Sequence, residues 1–251
     1  MKKILITGMS GLIGQLVYND LKNNSEYQLT ALNRSQLKDV NCIQADINDL
    51  AKVTAAFQGI DTVVHLAAQL PGASWDSMLK TNLEGTYNVY EASRIQGVKR
   101  VIFASSGDAA RGWDKEEPYN WLTEGDYDNI KSPWEMVPPT DVWPKGIYGA
   151  SKVWGEAIGR HFSDEYSLSV ICLRIGAVLP ENKPSLKRHY STWLSHNDIK
   201  SAISKSIEAP DKLKFAILFV NSDNKWNYRD LNPTREHLNW DPVDTADKFQ
   251  N

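Results

Sequence analysis

The chain has 251 residues, 41% of them hydrophobic and 24% charged, a composition that excludes a disordered or fibrous protein and allows one large α/β domain or two small ones. A formal net charge of −3 makes no global electrostatic case for nucleic acid, and no apolar run approaches the ~20 residues of a membrane helix. Cys42 and Cys172 are too few for a disulfide framework, and the apolar run in the opening MKKILITG is too short for a signal peptide, so a reducing cytoplasm is the expected location.

Short apolar runs alternate with helical patterns along the first half. Residues 3–7 read as a strand, 11–23 as a helix, 27–33 as a second strand and 42–45 as a short third. A helix over 49–57 leads to a strand at 62–66, and a long helix over 78–96 to a strand at 101–105. Such alternation predicts a parallel sheet covered on both faces. Residues 107–146 break the rhythm. They hold Trp113, Trp121, Trp134 and Trp143 among many prolines and acids, and read as a long ordered loop beside the functional site. The rhythm resumes with a helix over 148–162, a strand over 169–175, a helix over 198–208 and a strand over 215–220.

Glycines at 8, 11 and 14 follow the first strand and open the first helix, in Thr7-Gly8-Met9-Ser10-Gly11-Leu12-Ile13-Gly14. Gly8 permits a tight turn, Gly11 lets a pyrophosphate approach the backbone, and Gly14 lets helix and strand pack closely. The helix N-terminus supplies free N–H groups and partial positive charge. This context predicts a Rossmann-type doubly wound α/β fold: residues 1–176 as a dinucleotide-binding core with the 107–146 insertion, and 177–251 as a small substrate-binding region of the same domain. An acid that would bind the adenosine ribose is missing from the end of the second strand, where Asn33 and Arg34 stand instead. Arg34 can pair with a 2′-phosphate, which favours NADP over NAD, or lie in solvent. Asp46 and Ile47 can line the adenine or begin the next helix.

Tyr148 and Lys152 stand four apart on a predicted helix, so they share a face. A lysine ammonium near a phenol lowers its pKa toward working pH and makes it a general base. Ser105 and Ser106 end the fifth strand, where ligands sit in such sheets.

With these residues in place, the chain resembles the short-chain dehydrogenase/reductase superfamily in its extended, epimerase/dehydratase branch. The resemblance rests on TGMSGLIG, DTVVHLAAQ, Asn82, VIFASS, YGASK and LRIGAVLP, which cover most of the chain in order. It implies Tyr148 as acid/base, Lys152 as its activator and ribose anchor, and Ser106 as a substrate hydrogen-bonder. Asn82 would support the proton relay, and Ala67 and Ala68 would lie beside the cofactor. The stretches 191–198 and 237–242 look like the uronate dehydrogenase family, whose members oxidise a hexuronic acid at the anomeric carbon with NAD. Arg188 falls where that family places an arginine for the substrate carboxylate. The chain departs from the family's polar substrate contacts at Leu70, Gly107, Asp108 and Ala177, and from its NAD-selecting acid at Asn33.

The expectation is thus a sugar or sugar-acid dehydrogenase, with a nucleotide-sugar epimerase or dehydratase as the alternative. Asp108 serves either as a second acid/base or as a turn residue, and Arg188 as a carboxylate anchor or a solvated charge. The loop tryptophans line a sugar pocket or, more simply, pack the loop down. His65 reads as a satisfied core histidine and Asp198 as a helix cap. No metal-ligand spacing occurs, so no metal is expected, and a homodimer follows by analogy.

Overall fold

The computed structural model describes residues 1–131 and 133–250. Its strands form one seven-stranded sheet in the order β3-β2-β1-β4-β5-β6-β7, with every neighbouring pair parallel. These are β1 (Lys2–Thr7), β2 (Tyr27–Asn33), β3 (Cys42–Gln44), β4 (Thr62–His65), β5 (Arg100–Ser106), β6 (Ser169–Ile175) and β7 (Phe215–Val220). Helices cover both faces, which is why β4 and β6 are buried along their whole length and read as continuous apolar runs.

On one face, α1 (Leu12–Leu21) lies beside α8 (His196–Glu208), with Val17, Leu21, Ile199 and Ile203 in the core. On the other, α2 (Leu50–Ala56), α4 (Gly85–Gln96) and α6 (Gly146–Tyr166) bury Val53, Val89, Tyr90 and Phe162. The strand order reverses direction between β1 and β4, and such a switch point opens a crevice at the carboxyl ends of the strands. β7, from the 177–251 region, completes the same sheet, so that region has no separate core strand system.

Several elements differ from expectation. The helix expected over 78–96 starts earlier, as α3 (Trp75–Met78) capped by Ser74, and passes through a π-helical turn at Leu79–Glu84 before α4. A π turn holds an extra residue and re-aims its side chains; here it carries the buried Asn82. α6 is longer at both ends than 148–162. α8 is capped by Ser195, whose hydroxyl accepts from the Asp198 N–H at 2.9 Å, so Asp198 is not the cap. The Asp198 carboxylate is buried instead, accepting from Ser222 Oγ at 2.5 Å and Val243 N–H at 2.8 Å.

The insertion is not structureless. It contains 3-10 turns at Gly107–Ala109, Arg111–Lys115 and Tyr127–Asn129 and the helix α5 (Tyr119–Glu124). Trp113 packs edge-on against Tyr119 and Trp143. Tyr119, Leu122 and Val137 form a third core cluster with Phe219, Tyr228 and Leu231. Packing is therefore what Trp113, Trp134 and Trp143 do. The short helices α7 (His189–Thr192) and α9 (Asn232–Leu238) were not expected, since one or two turns leave little periodicity to read.

Candidate functional site

A cleft of about 590 Å³ runs along the carboxyl ends of the strands. At one end lies the glycine turn. Gly8 has φ +69, and a Cβ there would collide with the Ala67 backbone. A Cβ on Gly14 would strike the Met9 backbone, so this glycine sets the approach of α1 to β1. Gly11 differs: a Cβ there meets only Gly8 O, at 3.4 Å. Its open side faces the cleft at the N-terminus of α1, where Ser10, Leu12 and Ile13 also line the wall. The first helical N–H groups have no partner within a helix, so this cradle fits a dinucleotide pyrophosphate.

The adenosine end is lined by Asn33, Arg34, Asp46 and Ile47. Asn33 is buried and committed: its Oδ1 accepts from Ser10 Oγ at 3.2 Å and its Nδ2 donates to Ser35 O at 3.1 Å. Asp46 accepts from the Asn48 N–H at 2.9 Å, and α2 is capped by Asp49. Arg34 is exposed at the rim. His65 sits inside the sheet, hydrogen-bonded to Thr7 Oγ1 at 2.8 Å and Thr86 Oγ1 at 3.2 Å. Complete burial pushes it down to about 3, so it is a neutral core histidine.

Ala67, Ala68, Ser106, Tyr148 and Lys152 line the middle of the cleft. Lys152 is 4% exposed. Its ammonium donates to Ala104 O at 2.7 Å and lies 5.4 Å from the centre of the Tyr148 ring. Burial pulls it down to about 8, opposed by Glu156 one turn along α6. The expected lowering of the phenol is not found: burial and then Asp108 push Tyr148 up to about 12, with the Ser106 hydroxyl acting in the opposite direction. The physical reason is that desolvation of the phenolate exceeds what its neighbours offset.

Asn82 does not reach Lys152 directly. Its Oδ1 accepts from the Gln69 N–H at 2.7 Å, and its Nδ2 donates to Gln69 O at 3.1 Å and Ser151 Oγ at 3.0 Å. It thereby ties the Ala67–Gln69 wall to the residue preceding Lys152. Asp108 occupies a 3-10 turn, its N–H donating to Ser106 Oγ at 3.1 Å, and its charge bears on Tyr148. Arg188 does not line the cleft; its guanidinium lies 3.6 Å from Asp114, beside Arg111. Burial and then Arg111 hold it below its ordinary range, with Asp114 opposing.

Two features escaped the sequence reading. Glu156 follows Lys152 by four residues, a spacing that could have revealed it. Its carboxylate accepts from Arg174 Nε and NH2, both at 2.8 Å, and from Ser105 Oγ at 2.5 Å, all deeply buried. Arg229 is the second: its guanidinium packs behind Gly107, and nothing local in the sequence marks it. Among the described residues, no group of three His, Cys, Asp or Glu side chains is placed to hold a metal.

Comparison with known proteins agrees with this geometry. The profile of the NAD dependent epimerase/dehydratase family matches residues 4–201. The chain is 31% identical to the L-arabinose 1-dehydrogenase (NAD(P)(+)) of Haloferax volcanii, over 98% of each chain. It is 32% identical to the uronate dehydrogenase of Agrobacterium fabrum, over 100% of this chain and 88% of that one. A mutant uronate dehydrogenase from Agrobacterium tumefaciens, complexed with NAD, superposes with a TM-score of 0.84 at 30% identity, covering 100% of this chain and 88% of that one. A nucleotide cradle and a Ser-Tyr-Lys cluster in one cleft, under a profile spanning most of the sheet, make the chain a member of the NAD dependent epimerase/dehydratase family.

Proposed function

We propose that the protein is a sugar or sugar-acid dehydrogenase, with the 107–146 insertion and residues 177–251 forming its substrate side. The chain is an NAD(P)-dependent oxidoreductase of the extended short-chain dehydrogenase/reductase type, similar to uronate and arabinose dehydrogenases. The observation that carries the reading is the meeting of Ser106, Tyr148 and Lys152 with the Gly8–Gly14 turn in one cleft.

Bound NAD supplies the hydride acceptor. Tyr148, once its phenolic proton has gone to solvent, would take the proton of the sugar hydroxyl at its phenolate oxygen, and the Ser106 hydroxyl would steady the substrate oxygen as charge develops. Lys152 has three N–H donors and gives one to Ala104 O, leaving donors for the cofactor ribose and a positive charge beside the phenol. Burial and Asp108 hold the phenol near 12, so the phenolate that acts as base is the minor form, and the Lys152 charge 5.4 Å from the ring centre and the Ser106 hydroxyl favour it. Arg188, expected as the anchor of a substrate carboxylate, lies outside the cleft lining and faces Asp114, so that role would require it to leave this partner.

At the adenosine end we infer a preference for NADP, since Asn33 carries no charge to repel a 2′-phosphate and Arg34 stands at the rim. A homodimer would cover apolar side chains exposed on two helices: Tyr87 and Ile95 on α4, and Trp154 and Tyr166 on α6. Both cysteines are free thiols, in keeping with a reducing compartment, and no described helix is long and apolar enough to cross a membrane.

The test is a panel of aldoses, hexuronates and nucleotide sugars with NAD and NADP, followed at the nicotinamide absorbance. Net NAD(P)H with an aldose or hexuronate is the expected result. Conversion of a nucleotide sugar without net NAD(P)H would instead identify an epimerase or dehydratase.

A further inference from the structure

Proton transfer at Tyr148 leaves one deeply buried acid without a part in the reaction. Glu156 is 2% exposed and lies four residues after Lys152, which itself lies four after Tyr148. On α6 this spacing puts a phenol, an ammonium and a carboxylate in line on one face. The end of β5 answers all three. The Ser106 hydroxyl acts on the Tyr148 phenol, the Lys152 ammonium donates to Ala104 O at 2.7 Å, and Glu156 Oε1 accepts from Ser105 Oγ at 2.5 Å. Three consecutive strand residues are thus fastened to three successive turns of one helix.

The pairing of Glu156 decides which way its charge faces. Arg174, opposite Ser105 on β6, donates to it from Nε and NH2, both at 2.8 Å, and turns NH1 to Asp141 O in the insertion. The guanidinium carbon also lies 5.5 Å from the centre of the Phe219 ring on β7. The cation of the pair is therefore held toward β6 and β7, and the anion stands on the lysine's own helix face.

The other groups packed around this face carry no opposing charge. His65 on β4 is held down to about 3 by burial and then Lys152, so it is neutral. Burial pushes Tyr90 on α4 and Cys172 on β6 up, so both keep their protons. The Phe103 ring lies 5.2 Å from the ammonium. Asp108, on the turn after β5, bears on Tyr148 and faces Arg111 at 3.5 Å. Among the described residues, Glu156 is the one carboxylate that acts on Lys152, against the burial that pulls the ammonium down to about 8.

The reaction makes two demands that conflict. The phenol must lose its proton, which higher pH favours, and the lysine must keep its own, which higher pH opposes. A carboxylate one turn beyond the lysine eases the conflict. It stands two turns from Tyr148, about 12 Å along the helix, so it supports the ammonium without repelling the phenolate.

We propose that Glu156 is a positioning residue for the oxidation, acting through Lys152 and Ser105: it keeps the lysine charged beside the phenol and holds the Ala104–Ser106 end of β5 against α6. The catalytic consequence rests on the dehydrogenase reading above; the coupling of the two side chains does not.

Glu156→Gln alone strands the buried Arg174 charge. The decisive protein is therefore Glu156→Gln with Arg174→Met, which removes both charges, compared with wild type and with Glu156→Asp, which keeps a carboxylate on a shorter stem. One reading is kcat/KM across the neutral and alkaline range, with NAD and NADP and with D-glucuronate and L-arabinose. The other needs no turnover: calorimetric binding of NADH in buffers of different ionisation enthalpy, which counts the protons taken up as the cofactor settles on a charged lysine.

In the wild type the alkaline fall in kcat/KM should set in at about 8. In the double variant it should move down by about one pH unit. The loss is then about fivefold near pH 8 and much smaller in mild acid, and it falls on kcat more than on KM. Proton uptake on binding NADH near neutral pH should rise from almost none to about half a proton per site. Both readings in Glu156→Asp should lie between the two. A loss of equal size at every pH with proton uptake unmoved would make the pair a brace of the fold only, and it overturns the proposal, as does an unchanged profile. If the double variant does not fold, Glu156→Asp and the wild type decide: an intermediate shift upholds the proposal, while a uniform loss in Glu156→Asp, or no proton uptake by the wild type on the alkaline side, overturns it. A shift in proton uptake without oxidation of any sugar upholds the coupling and overturns the dehydrogenase reading. Oxidation by the wild type with neither reading shifted in the double variant overturns the role of Glu156 and leaves that reading standing.

Discussion

At the cofactor end of the cleft the wall is largely backbone: the Gly8–Gly14 turn, the first N–H groups of α1, and the small residues Ala67 and Ala68. At the substrate end it is backed by long side chains brought from far apart, with Arg229 set against Gly107 and Arg188 set against Asp114. The first arrangement recognises a group common to all dinucleotides and needs mainly the absence of side chains. On the proposed reading the second would recognise one class of substrate, and it needs particular side chains on a scaffold that can vary. Tyr148, Lys152 and Ser106 lie at the junction, so changes there should separate the two ends most sharply.

The largest expected effect is at that junction. Tyr148→Phe should lower turnover by ~10²–10⁴ while leaving the dissociation constant for NAD(P)H close to wild type, because the phenol holds the proton and the glycine turn holds the phosphates. Near-normal turnover in steady-state assays would show that another group carries the proton. Loss of cofactor binding would show that the two ends are not separable.

Next comes the buried pair that anchors α6 beneath the site. Arg174 is fully buried, grips both Glu156 oxygens, and donates from NH1 to Asp141 O in the insertion. Arg174→Met leaves the Glu156 carboxylate buried and uncompensated, which should cost about 3–5 kcal/mol in denaturant unfolding. Replacing Glu156 as well, by Gln or Leu, should recover much of it. A single-variant loss under about 1 kcal/mol would mean that Ser105 and water suffice for Glu156.

A smaller effect belongs to the cofactor half alone. His65 is held near 3 in the folded protein and titrates at its ordinary 6.5 when unfolded. As pH falls below 6.5 the unfolded chain takes up this proton and the folded chain does not. Stability from this group is therefore present above 6.5 and drains away on acidification until about 3. The loss between pH 6.5 and 5 should be about 1.5–2 kcal/mol. His65→Gln should flatten that part of the stability profile, and an unflattened slope would place the acid sensitivity elsewhere, at the buried His189 held down to about 4 for example.

The sheet, the glycine turn and the Ser106–Tyr148–Lys152 cluster were legible because each is encoded locally. Continuous apolar runs marked β4 and β6, glycine spacing marked the turn, and a four-residue interval placed Tyr148 and Lys152 on one face. The π turn around Asn82 was not legible, since one extra residue in a helix leaves the apolar pattern almost intact. The direction of the Tyr148 shift was missed for a different reason: a motif shows which charges are near, while desolvation depends on everything packed around the phenol. Arg229 was hidden because its contacts are with Gly107 and Val137, each about a hundred residues away in sequence.

The finest test of the contrast lies at the adenosine rim, where the cofactor end uses side chains after all. Asn33 stands at the carboxyl end of β2, its amide spent on Ser10 and Ser35, and Arg34 follows it at the edge of the cleft. A carboxylate at position 33 would accept from the ribose hydroxyls and repel a 2′-phosphate; the amide does neither. Arg34 can add a charge-assisted contact worth about 1.5–3 kcal/mol to a phosphate that reaches it. NADPH should therefore bind roughly tenfold or more tightly than NADH, and Arg34→Ala should weaken NADPH while leaving NADH nearly untouched. Raising the salt should narrow the gap, since a contact at an exposed rim is screened. Titration of both nucleotides against both proteins by fluorescence gives the four dissociation constants needed. Equal affinities in the wild type would mean that Arg34 points to solvent, and that the cofactor end is read by backbone alone.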